Sequence, residues 1–144
     1  MRILGLDHGE RRIGVAVSDV TGTIATPHSV IDRRVADVPV ALRSLVTEFA
    51  VERVVVGLPL LLSGEEGQAA RLARAFADQV AEDTGLPVLL QDERYTTVTA
   101  EDALIEGGVR RRRRRDVRDK VAAAVMLQSY LDRRMHDDDG DDQA

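Results

Sequence analysis

The chain contains no cysteine and only four aromatic residues. Without cysteine it can form neither a disulfide framework nor a thiolate metal site. So few aromatic rings make a stacking platform for single-stranded bases a poor fit, and they favour recognition of backbone and shape. No uncharged apolar run approaches the ~20 residues that a membrane span requires, and the first residues show no secretory signal pattern. These absences predict a cytoplasmic protein with no membrane partner.

Negative charge is concentrated at the end of the chain. The formal net charge is −5, and the five aspartates within residues 137–144 account for all of it. A length of 144 residues, 44% of them hydrophobic, fits one domain with a real core. The sequence therefore predicts one domain over residues 1–136, followed by an acidic, disordered tail over residues 137–144.

Hydrophobic periodicity predicts five strands and four helices. The predicted strands are 2–7, 12–19, 23–32, 54–58 and 87–91, and the predicted helices are 37–49, 66–82, 97–106 and 117–134. The second helix should turn Ala69, Leu72, Ala73, Phe76 and Val80 inward.

This order predicts an α/β fold with a five-stranded mixed sheet flanked by helices. An antiparallel meander should lead into βαβ units, with the first strand central and parallel to the fourth. Pro27 suits an edge strand or a bulge. Ligands bind beyond the carboxyl ends of parallel strands in such sheets.

Acidic residues occur where the predicted elements would bring them to that edge. Asp7 closes the first strand, Asp92 and Glu93 follow the fifth, Asp116 precedes the last apolar helix, and Asp119 lies at its start. Adjacent residues on an extended segment face opposite ways, so only one of Asp92 and Glu93 can share the side of Asp7. Converging carboxylates need a positive partner, and their oxygens suit Mg²⁺ or Mn²⁺.

Each of these acids also has a structural interpretation. Asp7 begins an Asp-x-Gly pattern, which is typical of turns. The acids before Arg94 could pair with it. Asp119, taken to lie in the first turn of a helix, would complement the helix dipole.

A run of six arginines precedes the last helix. Arg110, Arg111, Arg112, Arg113, Arg114 and Arg115 predict a mobile basic loop. Together with Arg94, this loop could hold a phosphate backbone beside the acids. The alternative is a solvated loop with no ligand.

Several stretches, taken together, resemble the YqgF family of proposed pre-16S ribosomal RNA nucleases, also called RuvX-type Holliday junction resolvase-like proteins. The resemblance spans about residues 2–134. It is carried by residues 5–9 with 12–19, by 55–60 with Gly64, by 92–97 with 100–101, and by 119–123 with 127–131.

The resemblance implies a ribonuclease H-like fold. It implies that Asp7, Glu93 and Asp119 are the catalytic carboxylates and metal ligands, preferred over Asp92 and Asp116. It further implies two-metal hydrolysis of phosphodiester bonds at the 5′ end of pre-16S rRNA, with a ribosome as a further partner. The family usually has a polar residue where this chain has Leu61, and it does not require so basic a run as residues 110–115.

Three rival functions stay open on the sequence. A Holliday junction resolvase would use the same acids on branched DNA, as a homodimer. A ribosome- or transcription-associated module could keep the scaffold without catalysis. An actin-like phosphotransferase also has an Asp-x-Gly phosphate loop, but it needs two such domains. Monomer and homodimer are both compatible with the sequence.

Overall fold

The computed structural model describes residues 1–93 and 111–141, and for the second range it describes the side chains of residues 115–135. The strands are β1 (Arg2–His8), β2 (Arg12–Ser18), β3 (Ala25–Asp32), β4 (Val51–Leu58) and β5 (Val88–Asp92). The helices are α1 (Val38–Phe49), α2 (Gln68–Thr84) and α3 (Arg111–Asp141). The predicted helix over 97–106 lies outside the described residues.

The five strands form one mixed sheet in the order β3-β2-β1-β4-β5. The β1–β2 and β2–β3 pairs are antiparallel, and the β1–β4 and β4–β5 pairs are parallel. The central position of β1 beside a parallel β4 is confirmed. Pro27 lies on the edge strand β3, where the register with β2 shifts between Val15 and Ala16, so both of its predicted roles are met.

The sheet separates two apolar cores because successive strand residues point to opposite faces. On one face, Leu4, Leu6, Val54 and Val56 pack with side chains of α1 and α2. On the other face, a second set packs with α3; it comprises Ile3, Ala16, Val55, Ala123, Met126, Leu127 and Leu131. The odd-numbered residues of β1 therefore face α3, and this parity carries through to Asp7.

Helix α2 buries only part of the predicted stripe. Ala73, Phe76 and Val80 are buried as predicted. The prediction is wrong for Ala69 and Leu72, which are exposed, while Ala70 and Ala77 are buried. Alanines on this stripe allow the helix to pack closely against the sheet, while the bulkier Leu72 lies just beyond it. The predicted end of the helix is right, since Gly85 caps it in the left-handed conformation.

Helix α3 is longer than the predicted helix over 117–134. It begins at Arg111, so the predicted basic loop is wrong for Arg111–Arg115, whose backbone is helical. Arginine is a good helix former, and neither glycine nor proline interrupts residues 109–139. The helix continues to Asp141, and the separation of an acidic tail at residue 137 stays a prediction. Nowhere in the described part of the chain is a helix long and apolar enough to span a membrane.

Candidate active site

Asp7 lies on the α3 side of the sheet near the carboxyl end of β1. Its register partner on β2 is Gly14, and on the other side the parallel pairing of Leu6 with Val56 brings Gly57 alongside. Glycine thus flanks this acid on both neighbouring strands. The missing side chains leave room above the sheet for other groups to reach Asp7.

Glu93 reaches Asp7 by crossing over Gly57. Its backbone N–H donates to the Leu58 carbonyl at 3.3 Å, which continues the pairing of β4 with β5. A Cβ atom on Gly57 would lie 2.7 Å from Glu93 Oε2, so any other residue there would displace the carboxylate. The strand parity that buries Gln91 and Glu93 sends Asp92 the other way.

The carboxyl groups of Asp7 and Glu93 hydrogen-bond to each other. Burial, and then the charge of Asp7, raise the pKa of Glu93 to about 9. Burial also raises the pKa of Asp7, against the lowering effect of the hydrogen bond from Glu93. A hydrogen bond between two carboxyl groups needs a proton on one of them. Near neutral pH, the pair therefore shares one proton.

Asp119 approaches this pair from α3. Its charge is close enough to contribute to the raised pKa of Asp7, but its own carboxylate is held by Arg12, with 2.7 Å between Nε and Oδ2. The helix comes so near because Gly14 has no side chain, since a Cβ there would lie 2.0 Å from the Asp119 carbonyl oxygen. Asp119 lies in the third turn of α3, so the predicted placement in its first turn is wrong and the dipole interpretation no longer applies.

The donor set suits a hard divalent cation. Within residues 1–93 and 115–135, no three acidic or histidine side chains form a group already arranged to hold a metal ion. Two carboxyl groups are in contact, and the third is turned toward Arg12. A buried acid pair that must retain a proton can exchange that proton for a cation, and oxygen is the ligand that Mg²⁺ and Mn²⁺ prefer. The three-carboxylate metal site stays a prediction.

His8, the neighbour of Asp7, belongs to the opposite face of the sheet. Its ring packs against Phe76 with centroids 4.6 Å apart, and its Nε2 lies 2.7 Å from an Arg33 nitrogen. Burial and the charge of Arg33 lower the pKa of His8. These contacts direct the imidazole away from the carboxylates.

The other predicted site residues are only partly described. Arg94 and Arg110 lie outside the described residues, and Arg111–Arg114 are described in their helical backbone alone. Arg115 is exposed on α3. The ion pair of Arg12 with Asp119 is not predicted from the sequence, because 107 residues separate the two. Its only signal was that Arg12 opens a strand beside the strand that carries Asp7.

Comparison with known proteins identifies relatives of this chain. A family model described as RuvX, Holliday junction resolvase, matches residues 1–133. A relative from Moorella thermoacetica with the provisional name pre-16S rRNA nuclease is 50% identical, covering 92% of this chain and 96% of the relative. One of the same name from Symbiobacterium thermophilum is 49% identical, covering 93% and 94%.

Solved structures share the fold at much lower identity. RuvC of Thermus thermophilus in complex with a Holliday junction substrate has a TM-score of 0.59 and 20% identity, covering 94% of this chain and 96% of that chain. A second Thermus thermophilus RuvC structure has a TM-score of 0.56 and 19% identity, covering 94% and 97%. This likeness confirms the predicted ribonuclease H-like fold.

Proposed function

This chain belongs to the RuvX family, and on that premise we propose that it is a divalent-metal-dependent nuclease that processes the 5′ end of pre-16S rRNA. Relatives that are 49–50% identical carry the name pre-16S rRNA nuclease. The observation that carries the proposal is the buried Asp7–Glu93 carboxyl pair at the carboxyl ends of β1 and β5. Burial at this edge raises the pKa of both carboxyl groups. Acids with raised pKa values are typical of functional sites.

Each residue of the site has a definite part in this function. Asp7, Glu93 and Asp119 would hold Mg²⁺ or Mn²⁺ with their carboxylate oxygens. Bound divalent ions would activate a water for attack on phosphorus and stabilise the leaving oxygen. Gly57 and Gly14 provide the space in which Glu93 and α3 approach Asp7. Arg12 neutralises Asp119 and fixes its position beside the pair.

Paired substitutions of neighbouring acids test this assignment. Asp7→Asn, Glu93→Gln and Asp119→Asn should each lower the cleavage rate more than ~100-fold, since changes that act only through a ligand's supporting contacts already cost 10–100-fold. The matched controls Asp92→Asn and Asp116→Asn remove an equal charge one and three residues away. Cleavage of a pre-16S leader RNA in Mn²⁺ is the measurement. Controls that lose as much activity as the site variants would refute the assignment.

A second candidate function is cleavage of branched DNA. It is favoured by the description of the matching family model as a Holliday junction resolvase and by a fold shared with RuvC, whose solved complex contains a Holliday junction. Such an enzyme would act as a homodimer in order to cut two strands. Side-by-side digestion of the leader RNA and a four-way DNA junction separates the two, because the preferred substrate should be cut faster at equal enzyme concentration.

A binding module without catalysis predicts a different pattern. The protein would then bind Mn²⁺ and nucleic acid, yet cut neither substrate at any metal concentration. Activity that is equal in the wild type and in Asp7→Asn would instead reveal a contaminating nuclease.

A further inference from the structure

A basic cavity of about 710 Å³ lies next to the carboxylates. Its lining comes from the start of β2, from β3 and the turn after it, and from the first turns of α3. Six of the lining side chains are basic: Arg11, Arg12, Arg34, Arg115, Arg118 and Lys120. Only two are acidic, Asp32 and Asp116. Five of the basic residues lie outside the arginine run that the sequence marks as a phosphate contact.

Sheet register places this cavity at the same edge as Asp7. Strand β2 runs antiparallel to β1, so it begins at the edge where β1 ends. Strand β3 ends there too, since Arg12 pairs with Asp32. Arg12 joins the two regions physically, because it lines the cavity and also donates to Asp119. The cavity and the carboxylates are therefore neighbours at this edge of the sheet.

The acids near the cavity do not neutralise it. Asp32 accepts hydrogen bonds from the Arg34 backbone N–H at 3.0 Å and from its guanidinium at 3.2 Å. Asp119 balances the charge of Arg12. Arg11, Arg115 and Lys120 face a single remaining lining acid, Asp116. An excess of positive charge in a concave, largely polar site favours a polyanion over a neutral or cationic ligand.

We propose that this cavity binds backbone phosphates of the nucleic acid on one side of the bond that the carboxylates cut. The proposal rests on the nuclease function above and adds the path of the substrate. The cavity is too large for a single phosphate group, and arginine guanidinium groups suit successive phosphate oxygens. The scarcity of aromatic residues agrees with a site that contacts backbone and ignores the bases.

The double variant Arg11→Ala with Lys120→Ala tests the cavity. Neither residue belongs to the carboxylate site, and the pair removes one charge next to the start of β2 and one charge on α3. Its matched control, Arg43→Ala with Arg133→Ala, removes two exposed charges outside the cavity. Arg34→Ala tests the same cavity independently from the β3 side. Thermal unfolding of each variant establishes that it is folded.

Binding is measured in EDTA over a series of KCl concentrations, with the leader RNA and with the four-way DNA junction. Loss of two phosphate contacts should reduce the slope of log K against log salt by about 1.4 for single strands and about 1.8 for duplex. It should weaken binding about 10-fold or more at 0.1 M salt. The single-turnover cleavage rate at saturating enzyme should stay within about twofold of wild type, because the carboxylates are intact.

The outcomes distinguish the cavity from the nuclease function. If the double variant and Arg34→Ala both have the affinity and salt slope of the control, the cavity proposal is refuted and the nuclease proposal is unaffected. A wild-type protein that neither binds nor cuts nucleic acid would overturn both. A loss of affinity for the RNA alone, or for the DNA junction alone, supports the cavity proposal and identifies which polyanion the cavity binds.

Discussion

Glu93 is a buried acid whose ionisation the fold opposes. Its pKa rises from an ordinary value of 4.5 to about 9, through burial and the neighbouring Asp7 charge. Between these two pH values, the folded protein retains a proton that the unfolded chain has released. The contribution of Glu93 to the free energy of unfolding is therefore greatest below pH 4.5. It declines as the pH rises toward 9, by at most ~1.4 kcal/mol per pH unit. The sign is opposite to that of an acid in a salt bridge.

Glu93→Gln should make the metal-free protein more stable at pH 8. The amide keeps the shape and the hydrogen-bonding capacity but has no charge to desolvate, so we expect a gain of about 1–3 kcal/mol in the free energy of unfolding. Urea unfolding in EDTA at pH 5 and pH 8 measures it, with the exposed Glu52→Gln as the control. If the stability of wild type and Glu93→Gln declines in parallel with pH, the raised pKa is refuted.

At the scale of elements, the site depends on how closely α3 packs against the sheet. Gly14 is the point of nearest approach, with the Asp119 carbonyl oxygen only 2.0 Å from where a Cβ would be. Backbone cannot move aside as a flexible side chain can. A methyl group at this position must therefore push the helix away from β2.

Gly14→Ala should accordingly destabilise the protein by about 1–3 kcal/mol, the usual range for overpacking a core. It should also reduce cleavage, because Asp119 moves with the helix. The control is Gly67→Ala, where an added Cβ would meet only Leu61 atoms at 3.5 Å or more. Chemical denaturation and the cleavage assay measure both effects. If Gly14→Ala is as stable as the wild type, α3 does not pack this closely against β2.

The sequence predicts elements well where local signals are strong. Gly85 and Pro39 mark the end of α2 and the start of α1, and the apolar run at 54–58 marks a strand buried on both faces. Prediction from sequence fails where one local pattern fits two structures, as in the arginine run, and where tertiary packing decides, as for Leu72. A charged run resembles a loop, yet Arg111–Arg115 extend α3, since nothing local interrupts a helix there. Leu72 satisfies helical spacing but lies beyond the stripe that packs.

The candidate site shows the same division. The proximity of Asp7 and Glu93 could be predicted from strand ends, because the carboxyl ends of parallel strands share one edge of the sheet. The space above Gly57 could not be predicted, because it depends on which side chain crosses that glycine. The Arg12–Asp119 ion pair depends on the docking of α3 against β2, which no local pattern in the sequence describes.

At the scale of the molecule, the two cores differ in their relation to the site. The core beneath α1 and α2 is built from apolar side chains, and none of Asp7, Glu93 and Asp119 belongs to it. The core beneath α3 is apolar along most of the sheet but gives way to Asp7 and Glu93 at the carboxyl edge of the strands. Helix α3 both covers that second core and contributes Asp119. A cation that binds Asp7, Glu93 and Asp119 should therefore stabilise the whole domain against unfolding.

Mn²⁺ should raise the melting temperature of the wild-type protein. A ligand that binds only the folded state stabilises it by about 2.7 kcal/mol at 100 times its dissociation constant. The gain should be larger at pH 8 than at pH 6, because at the lower pH the cation competes with the proton shared by Asp7 and Glu93. Differential scanning fluorimetry with 5-fold steps in Mn²⁺ at constant ionic strength measures the shift. Asp7→Asn should show little of it, while Asp92→Asn should keep it. An equal shift in Asp7→Asn would mean that the cation acts at another place on the protein, and the carboxylates of Asp7, Glu93 and Asp119 would then lose their assignment as its ligands.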